Sequence, residues 1–426
     1  MRSLEGQERI VVTGMGAVTP VGFTVAESVD RIMAGDDGIM SMSDSLLSDY
    51  PQMRVSVAAQ IQNFNLQDNP ELAERISTKE ERKLHRCAQF ALWASNEAVR
   101  QANLLAHDGT IDRKWIDTER VGVRIGTGVG GANIVAETRL RIDDGKRVAP
   151  SYILQMLPER VATTASMVFG AKGPVAEVTA ACATGNANIL DAVRLLRLRE
   201  ADVVIAGGTE AQLTPEGIAL FDGTTALDAT VDPRNASRPF HMDSNGFVMG
   251  EGAGILVLET AGHARRRGAL VLAELVGYAE TADAYHDTAP SGEGAERALR
   301  LALGDHALRN NLYINAHATG TTGDAVELAA IGSVLRPEQV AGISSTKAAT
   351  GHMLGAASAV ESIVAIEALR RGMIPPSLKL DKPIPETEPW HMSEFKATKA
   401  DIELAINNSF GFGGLNAVTV YARVDD

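Results

Sequence analysis

Residues 178–193 read VTAACATGNANILDAV, and residues 343–358 read ISSTKAATGHMLGAAS. Each is a β-type run, then small residues closing on Thr-Gly, then the start of a helical pattern. Aligned on Thr184-Gly185 and Thr350-Gly351, the two stretches lie 351 − 185 = 166 residues apart, and Cys182 falls opposite Ala348. Two strand–turn–helix units of one build predict a duplicated α/β core. The boundary is expected after the strand GILVLET, at the basic turn ARRRG, which divides the chain into residues 1–265 and 266–426.

The surrounding pattern agrees with that class. Strand-like runs fall at 9–13, 121–126, 202–207, 254–259, 270–276, 313–316, 342–345 and 404–407. Helical periodicity covers 82–102, 158–169, 186–200, 294–303, 323–335 and 355–372. Segment 35–80 reads as an irregular, polar insertion in the first half.

Composition narrows the function. The chain has 426 residues, 45% hydrophobic and 22% charged, which is ordinary for a globular protein with a large core. Aromatics are only 4% and the net charge is −14, which argues against nucleic acid as a partner. Two cysteines cannot build a disulfide framework, so a reducing compartment, the cytoplasm, is expected. No run of about 20 apolar residues predicts a membrane span, and the N-terminal apolar run is too short for a signal peptide.

Cys182 stands at a turn of small residues, Ala180, Ala181, Ala183 and Gly185, immediately before a helix. A thiolate there is favoured by unpaired backbone N–H groups and the helix dipole. The small neighbours let a substrate approach. Buried cysteine is also a common packing residue, and Cys87, on a helical stretch, fits that reading. A nucleophilic cysteine needs proton handling and an oxyanion site. His317 in INAHATGTTGD and His352 in SSTKAATGHM both sit at small-residue turns after strands, and Lys347 lies close to the latter. The loop NNSFGFGGLN (407–416) can offer a backbone N–H to an oxyanion, with an aromatic over the pocket. No His/Cys/Asp spacing of a metal site is present. GTGVGG (126–131) fits G-x-G-x-x-G after a strand, but no acidic residue ends a second strand about 20 residues on, so a nicotinamide site is not expected.

Taken together, IVVTGMGAVTP (10–20), ADVVIAGGTEA (201–211), ASRPF (236–240), DSNGFVMGEGAG (243–254), SSTKAATGHMLGAASAVES (344–362) and NSFGFGG (408–414) make the chain resemble the elongating β-ketoacyl-acyl-carrier-protein synthases. The resemblance implies a thiolase fold with an α-β-α-β-α five-layered core, usually as a homodimer. It implies decarboxylative condensation of a malonyl-carrier with a cysteine-bound acyl chain, extending it by two carbons, as in fatty acid synthesis. No cofactor of the enzyme's own is implied; phosphopantetheine belongs to the carrier. By motif position, Cys182 becomes the acyl acceptor, His317 and His352 the decarboxylating pair, and Lys347 the charged organiser held by Glu327. Phe412 becomes the gate, its N–H joining that of Cys182 as the oxyanion hole. Thr319, Thr321, Phe410 and Val129 become substrate contacts. An acidic carrier protein is expected to dock on Lys79, Arg82, Lys83, Lys146 and Arg147, the first three on a helix face shared with position 86.

The chain departs from the family pattern in places. His317-Ala318-Thr319 replaces His-Gly-Thr, the TGTTGD loop is short by a residue, and Leu415 follows Gly413-Gly414. Val231 stands where an arginine for the carrier often sits. These departures keep a second pathway in view: the catalytic ketosynthase subunit of a type II polyketide or polyene system, paired with a ketosynthase-like partner. A non-catalytic partner subunit is the reading the Cys-His-His set opposes.

Overall fold

The computed structural model describes residues 8–43, 46, 52–393 and 395–424. Its strands are β1 (Ile10–Val18), β2 (Val121–Thr127), β3 (Val175–Ala176), β4 (Val203–Glu210), β5 (Gly252–Thr260), β6 (Ala273–Ala282), β7 (Leu312–Asn315), β8 (Val340–Ser344), β9 (Leu404–Gly411) and β10 (Leu415–Ala422). They form one sheet in the order β8-β7-β9-β10-β6-β1-β5-β4-β2-β3. From its centre outward, the sheet runs β1-β5-β4-β2-β3 on one side and β6-β10-β9-β7-β8 on the other, the same connectivity twice. Parallelism repeats as well. β2 is parallel to β3 and β4, and β7 is parallel to β8 and β9. β5 is antiparallel to β1 and β4, as β10 is to β6 and β9. The halves join through a short antiparallel pairing of Ile10, Val11 and Val12 with Leu275, Glu274 and Ala273.

The helices that cover this sheet are α1 (Arg86–Gln101), α2 (Arg160–Phe169), α3 (Thr184–Arg197), α4 (Glu293–Leu303), α5 (Gly323–Val334) and α6 (Ala357–Arg371). Helices α1 and α2 lie on the first half, and α4, with α5 beside it, on the second. Between the halves, α3 packs on β4 and β2, α6 on β9 and β5, and the two helices on each other. These are the five layers of the thiolase fold. The alternation of β5 shows why: Ala253, Ile255 and Val257 face the α1 side, while Leu256 and Leu258 face the central helices.

The central pair approaches to main-chain contact. A Cβ on Gly185 would stand 2.6 Å from the Ala359 nitrogen, and one on Gly208 would stand 2.2 Å from the Gly355 oxygen. Polar groups fill the seam. The Asn186 N–H donates to Ser358 Oγ at 2.9 Å, and Asn407 Nδ2 donates to Ser362 Oγ at 2.9 Å.

Three expectations are corrected. The turn equivalent to the cysteine turn is not Ala348. Ala181–Ala183 forms a 3-10 turn ahead of α3 and Leu354–Ala356 one ahead of α6, and Ala181 and Leu354 both have φ of 47°. The offset is therefore 354 − 181 = 173 residues, and Cys182 matches Gly355. Second, β3 and β10 are additional to the expected strands; β3 is two residues long, and LNAVTVYA follows the glycine-dense loop directly. Third, segment 35–80, of which positions 44, 45 and 47–51 lie outside the described residues, is not merely polar. Its Met42, Val55 and Ala58 pack in the apolar cluster that holds Cys182.

The seam sets a stability prediction. Gly185→Ala forces a methyl against the α6 main chain and is expected to lower stability by about 1–3 kcal/mol. Gly332→Ala, on α5, meets only a Trp390 ring carbon at 3.5 Å and is expected to be neutral or stabilising, by up to ~1 kcal/mol of helix propensity. Urea denaturation of the two variants beside the parent protein measures both.

Candidate active site

Cys182 is 7% exposed and lies on the turn between β3 and α3. Thr184 fixes that turn: its Oγ1 donates to the Ala181 carbonyl at 2.7 Å and accepts from the Ala180 N–H at 2.9 Å. The left-handed backbone of Ala181, rare for a residue with a side chain, aims the next residue away from the helix axis. Ser409 Oγ, on β9, donates to the Cys182 carbonyl at 3.2 Å. The adjoining Phe412 N–H points at the sulfur. A Cβ on Gly411 would meet the Ala180 oxygen at 2.8 Å, so the residue before Phe412 must be small for this loop to reach the cysteine.

The second half supplies the histidines. His317 follows β7, and its N–H donates to Glu327 Oε1 at 2.9 Å; the Ala318 N–H donates to Oε2 at 2.8 Å. Asn408 Nδ2 completes the Glu327 shell at 2.9 Å. Asp324 collects the N–H groups of Phe240, Thr319, Gly320 and Thr321, so the short TGTTGD loop wraps one carboxylate. His352 lies between strand and helix, 5.5 Å from His317 ring to ring and 81° from coplanar. His317 also touches the Phe410 ring at 5.7 Å. His317 Nδ1 and both ring nitrogens of His352 are buried without a hydrogen-bond partner. Such groups represent unspent binding capacity. Burial, reinforced by the Lys347 charge, holds both imidazoles well below the usual histidine range, so both are neutral.

Lys347 corrects one expectation. Its Nζ is paired with Glu361 on α6, not with Glu327, and both partners are 1% exposed. Glu327 instead holds the backbone of the His317 turn, and burial raises its carboxyl to about 7. Glu361 escaped the sequence reading. Its signal is a lone carboxylate on the buried stretch ASAVESIVAI, a position that requires a cationic partner. Glu210, wholly buried, was missed too. It accepts from Thr127 Oγ1 at 2.8 Å, from the Gly128 N–H at 2.9 Å and from the Gly355 N–H at 3.2 Å. The glycines of GTGVGG thus serve close packing: a Cβ on Gly128 would crowd Glu210, Ala181 and Gly355.

The expected thiolate is corrected as well. Burial pushes the Cys182 thiol up to about 12, against the opposing pull of Lys347 and the Phe412 N–H.

Cys182, His317, His352, Thr319, Thr321 and Phe412 line one cavity of about 490 Å³, with Phe410 and Glu327 in its wall. Val129 does not line it, and neither do the five basic candidates. Lys79, Arg82, Lys83, Lys146 and Arg147 are exposed. The helix face proposed for the first three is broken: a helix spans only Thr78–Glu81, α1 begins at Arg86 behind an His85 cap, and Arg86 turns inward to Glu251. Lys146 pairs with Asp144 at 2.8 Å. Among the described residues no group of three or more His, Cys, Asp or Glu side chains is arranged to hold a metal ion. None of the helices described is long and apolar enough to cross a membrane.

Residues 7–264 match the family model described as beta-ketoacyl synthase, N-terminal domain, and residues 272–381 match its C-terminal domain. The chain belongs to the beta-ketoacyl synthases. This ketosynthase is 38% identical to the 3-oxoacyl-[acyl-carrier-protein] synthase 2 of Staphylococcus aureus (strain N315), covering 98% of this chain and 99% of that one. Solved structures similar at 30% identity include the following two. One is the ketosynthase of a type II polyketide synthase, bound to a hexaketide and in complex with its acyl-carrier protein, with TM-score 0.85 over 98% of this chain and 100% of that one. The other is the ishigamide ketosynthase/chain length factor, with TM-score 0.86 over 99% and 100%.

The buried ion pair generates a prediction. Removing both charges with Lys347→Met and Glu361→Gln takes away a cation that favours the thiolate and a weaker anion that opposes it. The Cys182 thiol is then expected to ionise less, so iodoacetamide alkylation at fixed pH slows relative to the parent protein. Intact mass against time reads the rate.

Proposed function

We propose that the protein is an elongating 3-oxoacyl-[acyl-carrier-protein] synthase, in which Cys182, His317 and His352 carry the reaction. The observation that supports this reading most is the pair of neutral, unpartnered imidazoles facing the same cavity as a buried thiol. Two neutral N–H donors suit an oxygen that gains negative charge, which is what a thioester carbonyl becomes when its malonyl group loses carbon dioxide.

In the first half-reaction the Cys182 sulfur attacks the acyl thioester of the carrier. The S–C bond to Cys182 forms, the bond to the pantetheine sulfur breaks, and the Cys182 proton ends on the departing thiol. The thiolate is the nucleophile, so the sulfur gives up its proton in this half-reaction. The N–H groups of Cys182 and Phe412 receive the oxyanion. In the second half-reaction the malonyl-carrier loses carbon dioxide. The electron pair of the broken C–C bond becomes an enolate held by His317 and His352. That carbon attacks the acyl-cysteine carbonyl, and the Cys182 sulfur leaves and regains a proton. Glu327 positions His317 through its backbone, and burial, reinforced by Lys347, keeps both imidazoles uncharged. Phe412 gates entry, while Thr319, Thr321 and Phe410 accompany the pantetheine arm and acyl chain. No metal or organic cofactor enters this scheme.

The partner is an acyl carrier protein, the compartment the cytoplasm, and the assembly a dimer, with the chain divided functionally at 265/266. A type II polyketide pathway with a ketosynthase-like partner is the second reading, favoured by the altered TGTTGD loop and Leu415.

Cys182→Gln is expected to abolish acyl-enzyme formation and condensation while malonyl-carrier still releases carbon dioxide. His317→Ala or His352→Ala is expected to retain some acyl-enzyme and lose about 10²–10³ in carbon dioxide release. Normal condensation by the glutamine variant, or unmodified release by both histidine variants, overturns the assignment. Carrier docking has its own measurement. Lys79→Glu with Lys83→Glu should raise the apparent KM for carrier-bound substrate and leave a small pantetheine thioester unaffected.

A further inference from the structure

The two halves cross over at the seam. β9 of the second half ends against the Ala181–Ala183 turn of the first, and β4 of the first half ends against the Leu354–Ala356 turn of the second. The last residues of these matching strands are Gly411 and Glu210. They treat the facing turns in opposite ways. A Cβ on Gly411 would stand 2.8 Å from the Ala180 oxygen and 3.4 Å from the Cys182 nitrogen. No side chain therefore covers the Cys182 N–H from this strand, and Cys182, Gly411 and Phe412 all line the catalytic cavity. At the other turn Glu210 fills the corresponding place. Gly355, the counterpart of Cys182, donates its N–H to Glu210 Oε2 at 3.2 Å.

The same oxygen accepts from the Gly128 N–H at 2.9 Å, and Oε1 accepts from Thr127 Oγ1 at 2.8 Å. Gly128 lies against the cysteine turn, where a Cβ would stand 3.3 Å from the Ala181 oxygen. One carboxylate oxygen thus joins the loop that backs the nucleophile to the turn that opens α6. Glu210 is wholly buried, and the groups that act on it most, Thr127, Gly355, Gly128 and Gln212, include no cation. Its counter-charge is the helix start. Neither the Leu354–Ala356 turn nor α6 has a side-chain cap from its own N-terminal residue, so the N–H of Gly355, at the head of a 15-residue helix, has its acceptor in the other half. One turn into α6, Glu361 reaches Lys347.

We propose that Glu210 is a positioning residue for the condensation: its carboxylate caps α6 from the opposite half and so holds Glu361, and through it Lys347, in register with the Cys182 turn. The inference rests on the ketosynthase reading above. The two matching strand ends then have opposite duties. Gly411 leaves its turn open to a substrate oxygen, and Glu210 supplies its turn with a permanent one.

Two variants separate this role from a merely structural one. Glu210→Gln keeps an oxygen for the Gly128 and Gly355 N–H groups and turns its amide to Thr127 Oγ1. Glu210→Ala removes the acceptor and leaves both N–H groups buried. Condensation is measured with acyl- and malonyl-pantetheine thioesters, so that carrier docking does not contribute, on protein shown to be folded by circular dichroism. Glu210→Ala is expected to lower kcat by ~10–100-fold, since a misplacement of about 1 Å costs about 10²-fold, with KM within ~3-fold of the parent protein. Glu210→Gln is expected to keep kcat within ~3-fold of the parent, because the hydrogen bonds survive. Lower resistance to urea with an unchanged kcat per folded molecule in Glu210→Ala overturns the proposal, and so does an equal loss in both variants. If Glu210→Ala does not fold, Glu210→Asp, which draws the carboxylate back by one methylene, replaces it and should lower kcat by ~10-fold; a parental kcat in that variant overturns the proposal. A parent protein that neither forms acyl-Cys182 nor releases carbon dioxide overturns the ketosynthase reading instead.

Discussion

Two helix starts, one from each half, meet back to back in the centre of this molecule, and everything catalytic is arranged around that meeting. The approach is possible only where side chains are absent, at Gly185, Gly208, Gly128 and Gly355. The one carboxylate at the junction, Glu210, is shared by main-chain N–H groups of both sides. Widening the seam by a methyl group separates the cysteine turn of the first half from the β9 loop that serves it. Ser409 and Phe412 reach Cys182 across the same junction.

Within that frame a single buried charge pair organises the chemistry. Lys347 and Glu361 are taken wholly out of water, an arrangement that contributes little to stability and is costly to break. Its effect is electrostatic. The cation adds to the burial that lowers two nearby imidazoles and pulls the thiol partway back from the penalty of burial. Acidic groups around it have separate duties. Glu327 and Asp324 spend their oxygens on backbone N–H groups, so each acts as a template for a turn rather than as an acid or a base.

Much of this was legible in the chain. Strands and helices with clear periodicity, the cysteine turn and both histidines follow from local pattern and motif order. What was not legible depends on distance in space. The Thr-Gly pairs share identity, whereas the structural repeat is a turn with the same φ at Ala181 and Leu354, residues with nothing in common as letters. Lys347 was assigned the wrong carboxylate because Glu327 and Glu361 are equally acidic in a sequence, and only the packing of α6 decides between them. The thiolate was expected from helix position, a local effect, and burial, a global one, outweighs it.

The two-fold likeness of the halves breaks at the nucleophile. Where the first half has Cys182, the second has Gly355, and a Cβ there would stand 2.4 Å from the Gly128 nitrogen. The copy of the nucleophile's position is occupied by the seam itself. A main-chain contact at the axis leaves no room for a side chain, and so for a second sulfur, at the matching turn, and the asymmetry of the site is a consequence of how tightly the symmetry is closed.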